Sequence, residues 1–232
     1  MRVVSTQWYR GAEVTKKNVY LVVAPSQYQL AATFMRFQEH YESPYFRKKI
    51  FSVEEYMDWY ARKRGNFTYY KDWSGFNIPS WVLAPFYEGK FDPLLEKERV
   101  FLKLFSGIQD KFYVIGVSKD TEKKNPALRH EFVHGLYYTV PAYKRAVLGV
   151  LKDANTDAVH KALLRLGYHP AVLDDETNAY MLTGMGSLGV AMGRDAIDLR
   201  KRLREAFREH FGFSIAGLRR ESILEQIHVM HI

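Results

Sequence analysis

His130-Glu131-Phe132-Val133-His134 is the stretch of this chain best suited to chemistry. Side chains four apart on a helix lie one above the other on the same face, so two imidazoles at this spacing can grip one metal ion. Neutral imidazole nitrogens suit zinc. A carboxylate one residue after the first His can take a proton from a water at that ion and later return it to a leaving amine. The spacing predicts a Zn2+ site with His130 and His134 as ligands and Glu131 as the base. A helix must carry them. Asn125-Pro126 reads as an N-cap followed by proline at the first helical position, and Ala127, Leu128, Phe132, Val133 and Leu136 make the run largely apolar.

A catalytic zinc needs a third protein ligand and an open fourth position. The metzincin extension places Gly three and His six residues after the second His; those positions are Tyr137 and Val140 here, which excludes it. A carboxylate on a later helix is the next candidate. In Asp174-Asp175-Glu176-Thr177-Asn178-Ala179-Tyr180, either Asp can cap a helix whose first turn holds Glu176, with Tyr180 one turn on. The helix dipole alone would also favour a first-turn glutamate. From the residues, Asp174, Asp175, Glu176, His160 and His169 all stand as third ligands.

H-E-x-x-H followed by a Glu on a downstream helix resembles the gluzincin group of zinc metallopeptidases, to which thermolysin belongs. The resemblance spans His130 to Tyr180, and the first 120 residues carry none of it. It implies His130, His134 and Glu176 as zinc ligands, Glu131 as catalytic base, and a peptide or protein as substrate. It also implies a zincin-like fold with the cleft between a sheet-bearing lobe and a helical lobe. In that family the strand before the active-site helix forms the edge along which a peptide lies, which here would be Lys111 to Val117. One position departs. Four residues after the third ligand the thermolysin-like enzymes have an Asp that supports a ligand His, and this chain has Tyr180. Tyr180 is therefore the first candidate to contact a ligand His or meet the oxyanion, with Tyr137, Tyr138 and His169 behind it.

Composition narrows the alternatives. The chain has 232 residues, 47% of them hydrophobic, enough for a sizeable core. Cysteine is absent, which excludes disulfides, thiolate zinc sites and a thiol nucleophile. No run approaches a spanning helix, and Met1 to Val14 lacks the pattern of a signal peptide, so the expectation is a soluble, cytoplasmic protein. The net charge is +8, and residues 194–220 hold eight Lys/Arg against four Asp/Glu. Such a run usually marks a solvated helix face. The alternative to an enzyme is a non-catalytic basic module for nucleic acid or an acidic protein, with a structural or absent metal. No nucleic-acid-binding motif accompanies it.

The elements that must position the motif read as an α+β fold: a small mixed sheet followed by a mainly helical part, divided at residues 1–109 and 110–232. Asn18 to Ala24 and Lys111 to Val117 read as buried strands. Helices are expected over 27–42, from the Ser52 capping box to about Lys63, from Asp92-Pro93 to Phe105, over 142–153 and 156–166, from Asp174/Asp175 to Gly184, and from Asp195 to Phe211. Phe67 to Pro85 is aromatic and Gly/Pro-rich, a core cluster before a substrate wall. Ser118 to Lys124 reads as a polar loop, and Gly186 to Gly193 as flexible but no phosphate loop. Gly135 is expected to give room beside the ligands. The apolar tail from Leu224 is expected to dock on the domain; its alternative is a tail that folds into the cleft and offers His228 or His231.

Overall fold

The structure is a computed structural model and describes residues 18–119, 125–185, 188–189 and 193–232, with only the backbone of residues 125–127. It is an α+β fold around a small mixed sheet of four strands in the order β2-β3-β1-β4. The strands are β1 (Val19–Ala24), β2 (Gly75–Pro79), β3 (Tyr113–Ser118) and β4 (His228–His231). β1 pairs in parallel with both β3 and β4, and β2 runs antiparallel to β3 at one edge. Two strands come from before residue 110 and two from after it.

β1 and β3 read VYLVVA and YVIGVS and are buried at every position, as strands covered on both faces must be. Side-chain alternation divides them between two cores. Val19, Leu21, Val23, Tyr113, Ile115 and Val117 join the helices that follow β3. Tyr20, Val22, Ala24 and Val114, with Phe76 and Ile78 of β2, join the helices that precede it.

Helix α1 (Gln27–Glu42) has the expected span, with Ser26 Oγ accepting the Gln29 N–H at 3.2 Å. It lies so close to β3 that a Cβ on Gly116 would come within 2.7 Å of the Phe34 ring. Helix α2 (Val53–Arg64) opens on the expected capping box, Ser52 and Glu55 exchanging hydrogen bonds of 3.1 and 2.7 Å, and closes on Gly65 at φ 88°. The next helix differs from expectation. It runs Glu96–Phe105, with the Glu98 carboxylate accepting the Leu95 N–H at 2.8 Å. Asp92-Pro93 is a cis peptide ahead of it and is not its cap. Helices Pro141–Lys152 and Asp157–Leu166 fall where expected, the second closed by Gly167 at φ 95°.

The long basic helix is Arg194–Phe211, with Gly193 as its N-cap; Asp195 sits in the first turn instead. It buries Leu199, Leu203, Ala206 and Phe207 and turns Lys201, Arg204 and Arg208 to solvent, but Ile197, expected on its apolar side, is 56% exposed. The tail docks as β4, at the edge opposite β2, with His228 stacked on Tyr20 at 4.7 Å. Pairing with β1 satisfies its backbone there and overturns the idea that the tail enters the cleft. No helix among the described residues is long and apolar enough to cross a membrane. Residues 1–17, most of the expected polar loop (120–124), and 186–187 and 190–192 of the Gly-rich stretch lie outside the described residues.

Candidate metal centre

The motif helix spans Asn125–Thr139 and packs on β1, β2 and β3. Gly135 lets it approach: a Cβ there would lie 3.0 Å from both methyls of Val19. Its small size thus serves helix-on-sheet packing and not, as expected, space beside the ligands. The Glu176 helix spans Leu173–Thr183 and follows a 3-10 turn at Pro170–Val172. Asp174 and Asp175 therefore lie inside its first turn and do not cap it. The two helices pack side by side and bring His130, His134 and Glu176 together, with one ligand atom of each within 4.8 Å of the others. His130 Nε2 is 3.7 Å from Glu176 Oε2, and His134 Nε2 is 3.6 Å from Glu176 Oε1.

Hydrogen bonds around the two rings decide which nitrogen is bare. Thr183 Oγ1 donates its only hydrogen to the Ala179 carbonyl at 2.7 Å. Toward His130 Nδ1, 3.1 Å away, it can only accept, so the proton of His130 is on Nδ1 and Nε2 faces Glu176 as a lone pair. His134 Nδ1 lies 2.9 Å from Asp175 Oδ1, a close contact short of ideal hydrogen-bond geometry. A carboxylate at that nitrogen again keeps a proton on Nδ1 and leaves Nε2 as the atom a metal would take. Burial favours the neutral form of His134, but the Asp175 and Glu176 carboxylates outweigh it and hold its pKa well above the ordinary value, so without an ion Nε2 carries a second proton, which a bound metal would displace. Glu176 Oε2 is buried and has no hydrogen-bond partner. Two donors bound tetrahedrally to one zinc sit about 3.4 Å apart. The two Nε2 atoms, the orphaned carboxylate oxygen and the His–Glu spacings of 3.7 and 3.6 Å fit that ion, and the two imidazoles, within 4.8 Å, would draw together on it.

Glu131 points into the same space and is held from an element that sequence reasoning did not connect to it. Asn77, in the middle of β2, donates from Nδ2 to Glu131 Oε2 at 2.6 Å. The Tyr113 hydroxyl donates to Asn77 Oδ1, which fixes the amide the right way round. Burial raises the Glu131 pKa above the usual carboxylate value, His130 and His134 pull it back, and Glu176 adds to the rise. The only signal for Asn77 was one polar residue between the inward-facing Phe76 and Ile78, which places it on the face of the motif helix.

The remaining candidates separate. His160 faces Asp174 at 3.8 Å, and His169 accepts the Ala171 N–H at 3.0 Å; none of these three joins the ligand group. Tyr180 packs edge-on against the His130 ring at 4.7 Å. Its hydroxyl meets that of Tyr168 at 3.1 Å. Tyr137 lies under Lys144 and Tyr138 beside Ser80, and neither lines the cleft. Tyr69 and Tyr168 do line it, and sequence reasoning missed Tyr168. Burial, with Glu176 and Tyr180 nearby, raises its pKa, so it is an O–H donor at neutral pH.

The cleft encloses about 280 Å³. Its sheet wall is β2, at Gly75 to Asn77, with Val117 from the end of β3; the open edge is that of β2 and not, as expected, of the Lys111–Val117 segment, because β3 is an interior strand between β1 and β2. The edge N–H of Asn77 is taken by Gln38 Oε1 at 3.2 Å. Carboxylates crowd the other wall: burial, then Glu176, pushes Glu42 up to about 8, with Glu131 and Glu39 adding to the rise. An adjoining arm of about 400 Å³ shares Glu39, Glu42, Trp73 and Tyr168 with the cleft. The aromatic stretch 67–85 is accordingly both things at once: Tyr69 and Phe76 are core, while Trp73 is 48% exposed and lines both cavities. No protein family, curated protein or solved structure matches the chain.

Proposed function

We propose that this chain is a zinc-dependent peptidase of the gluzincin type, with His130, His134 and Glu176 holding the metal and Glu131 as general base. One observation carries the reading: two imidazoles, each engaged at Nδ1, aim their Nε2 atoms at one buried carboxylate whose Oε2 has no partner, with a second carboxylate beside them. A zincin-like arrangement is supported by a motif helix laid on a sheet whose antiparallel edge strand faces the site, with the second ligand helix packed against the first. Zinc bound there supplies a Lewis acid for the scissile carbonyl and lowers the pKa of water. Glu131 takes the proton of the attacking water and passes it to the departing amine, while Asn77 keeps its carboxylate aimed. Thr183 and Asp175 hold the two imidazoles in register. Tyr168, protonated and in the cleft, is placed to donate to the developing oxyanion.

The chain purified without chelators is expected to carry about one zinc, and Glu176→Ala to weaken zinc binding by about 10²-fold or more. A metal-free parent protein under those conditions overturns the reading. Tyr168→Phe is expected to keep the zinc and lower kcat by about 10²-fold; an unchanged kcat would remove Tyr168 from the chemistry.

A further inference from the structure

We propose that the arm of the cleft between α1, α2 and Trp73 receives a lysine or arginine side chain of the peptide. The bond that is cut rests on the peptidase reading; the binding itself does not. The chain as a whole is basic, at +8. Yet among the described residues the space around His130, His134 and Glu176 is lined by the carboxyl groups of Glu39, Glu42, Asp72, Glu131 and Glu176 and by no lysine or arginine. Two positive charges from a metal would offset Glu131 and Glu176, and a cation entering the arm would draw the proton off Glu42, which burial and Glu176 otherwise push up to about 8. Asp72 is kept ionised by hydrogen bonds from the Tyr60 and Thr68 hydroxyls.

The adjoining arm continues this character and adds apolar walls. Glu39 and Glu42, half-buried on α1, line it together with the rings of Tyr56, Trp59, Tyr60 and Trp73. Its volume of about 400 Å³ suits a long side chain. Aromatic walls suit a methylene stem and attract a cation over their faces, and carboxylates meet a guanidinium or ammonium with charge-assisted hydrogen bonds. Two cations also border this arm, Lys63 and Arg64. Both are exposed on α2, with Lys63 Nζ 5.0 Å from the Trp59 ring and the Arg64 guanidinium 6.0 Å from the Tyr60 ring. Solvent screens them more than it screens the half-buried acids. A peptide's terminal ammonium shares the charge but lacks the stem that the rings would cover.

The test is calorimetric titration of the full chain as the Glu131→Gln variant, in buffer containing Zn2+. The probes are acetylated, amidated alanine pentapeptides with arginine, citrulline or glutamate at the centre. Arginine is expected to bind about tenfold more tightly than its uncharged isostere citrulline, with glutamate weakest. In a Glu39→Gln/Glu42→Gln background the arginine advantage should shrink to within about twofold. Equal binding of arginine and citrulline, tighter binding of glutamate, or no binding of the arginine peptide at millimolar concentration overturns the proposal. Unacetylated forms of the same peptides are titrated beside them, and an affinity set by the free N-terminus regardless of the central residue also overturns the proposal, assigning the acids to the terminal ammonium. Arginine selectivity without hydrolysis of the same peptide by the parent chain would keep this inference and overturn the peptidase reading.

Discussion

Glu131→Gln is expected to lower kcat for peptide hydrolysis by about 10² to 10⁴-fold while leaving the zinc content unchanged. The substitution keeps the size of the side chain and its reach to Asn77. A glutamine oxygen still accepts from Asn77 Nδ2, now 2.6 Å from Glu131 Oε2, so the local packing survives. What is lost is the ability to hold a proton between attack and departure of the amine. The zinc donors lie on His130, His134 and Glu176, so metal binding has no reason to change. Turnover and zinc stoichiometry measured on the same preparation check this. Activity within about threefold of the parent would take Glu131 out of the role of base.

The largest stability effect is expected far from that site. Arg36 of α1 and Glu98 are 3% and 1% exposed and form a bidentate pair. Arg36 Nε donates to Glu98 Oε1 at 2.7 Å, and Nη2 donates to Glu98 Oε2 as the second arm of the fork. The guanidinium also donates to the carbonyls of Phe91 at 2.9 Å and Pro93 at 3.3 Å, while Glu98 accepts the Leu95 N–H. The pair ties α1 to the start of the Glu96–Phe105 helix and to the turn before it. Removing one partner leaves an uncompensated buried charge, so Glu98→Ala is expected to cost about 3 to 5 kcal/mol. That is a large share of a typical domain's stability of about 5 to 15 kcal/mol. Arg36→Met/Glu98→Leu, which removes both charges and keeps the volume, should recover much of the loss. Urea unfolding midpoints compare the three. A shift below about 0.5 kcal/mol in Glu98→Ala would show that the charge is solvated after all.

Much of the local structure was legible in the residues because its causes are local. The capping box at Ser52, the left-handed glycines 65 and 167, the span of α1 and the continuous apolar runs of β1 and β3 each depend on neighbours a few positions away. The i, i+4 spacing of His130 and His134 is of the same kind, since one helical turn puts both rings on one face. Helix starts failed where a longer-range partner decided them. Glu98 starts its helix at Glu96 while paired with Arg36, 62 positions away, and a 3-10 turn moved Asp174 and Asp175 from caps into the first turn.

By itself, then, the sequence determined which residue types could hold a metal and that the two histidines would share a helix face. It also set how the α1 and α2 helices begin and end. Tertiary structure alone decided that β2, not β3, is the edge beside the site, and that Asn77 reaches Glu131 across 54 positions. It turned Asp175 from a rival ligand into the partner of His134 Nδ1 and left the orphaned oxygen to Glu176. It also put Tyr168, and not Tyr180, among the residues lining the cleft. The reason is physical. Caps and i, i+4 faces are fixed by backbone geometry within one or two turns. Strand order and the meeting of side chains from separate elements are fixed by how two apolar faces of one sheet are covered, and no short window of residues contains that information.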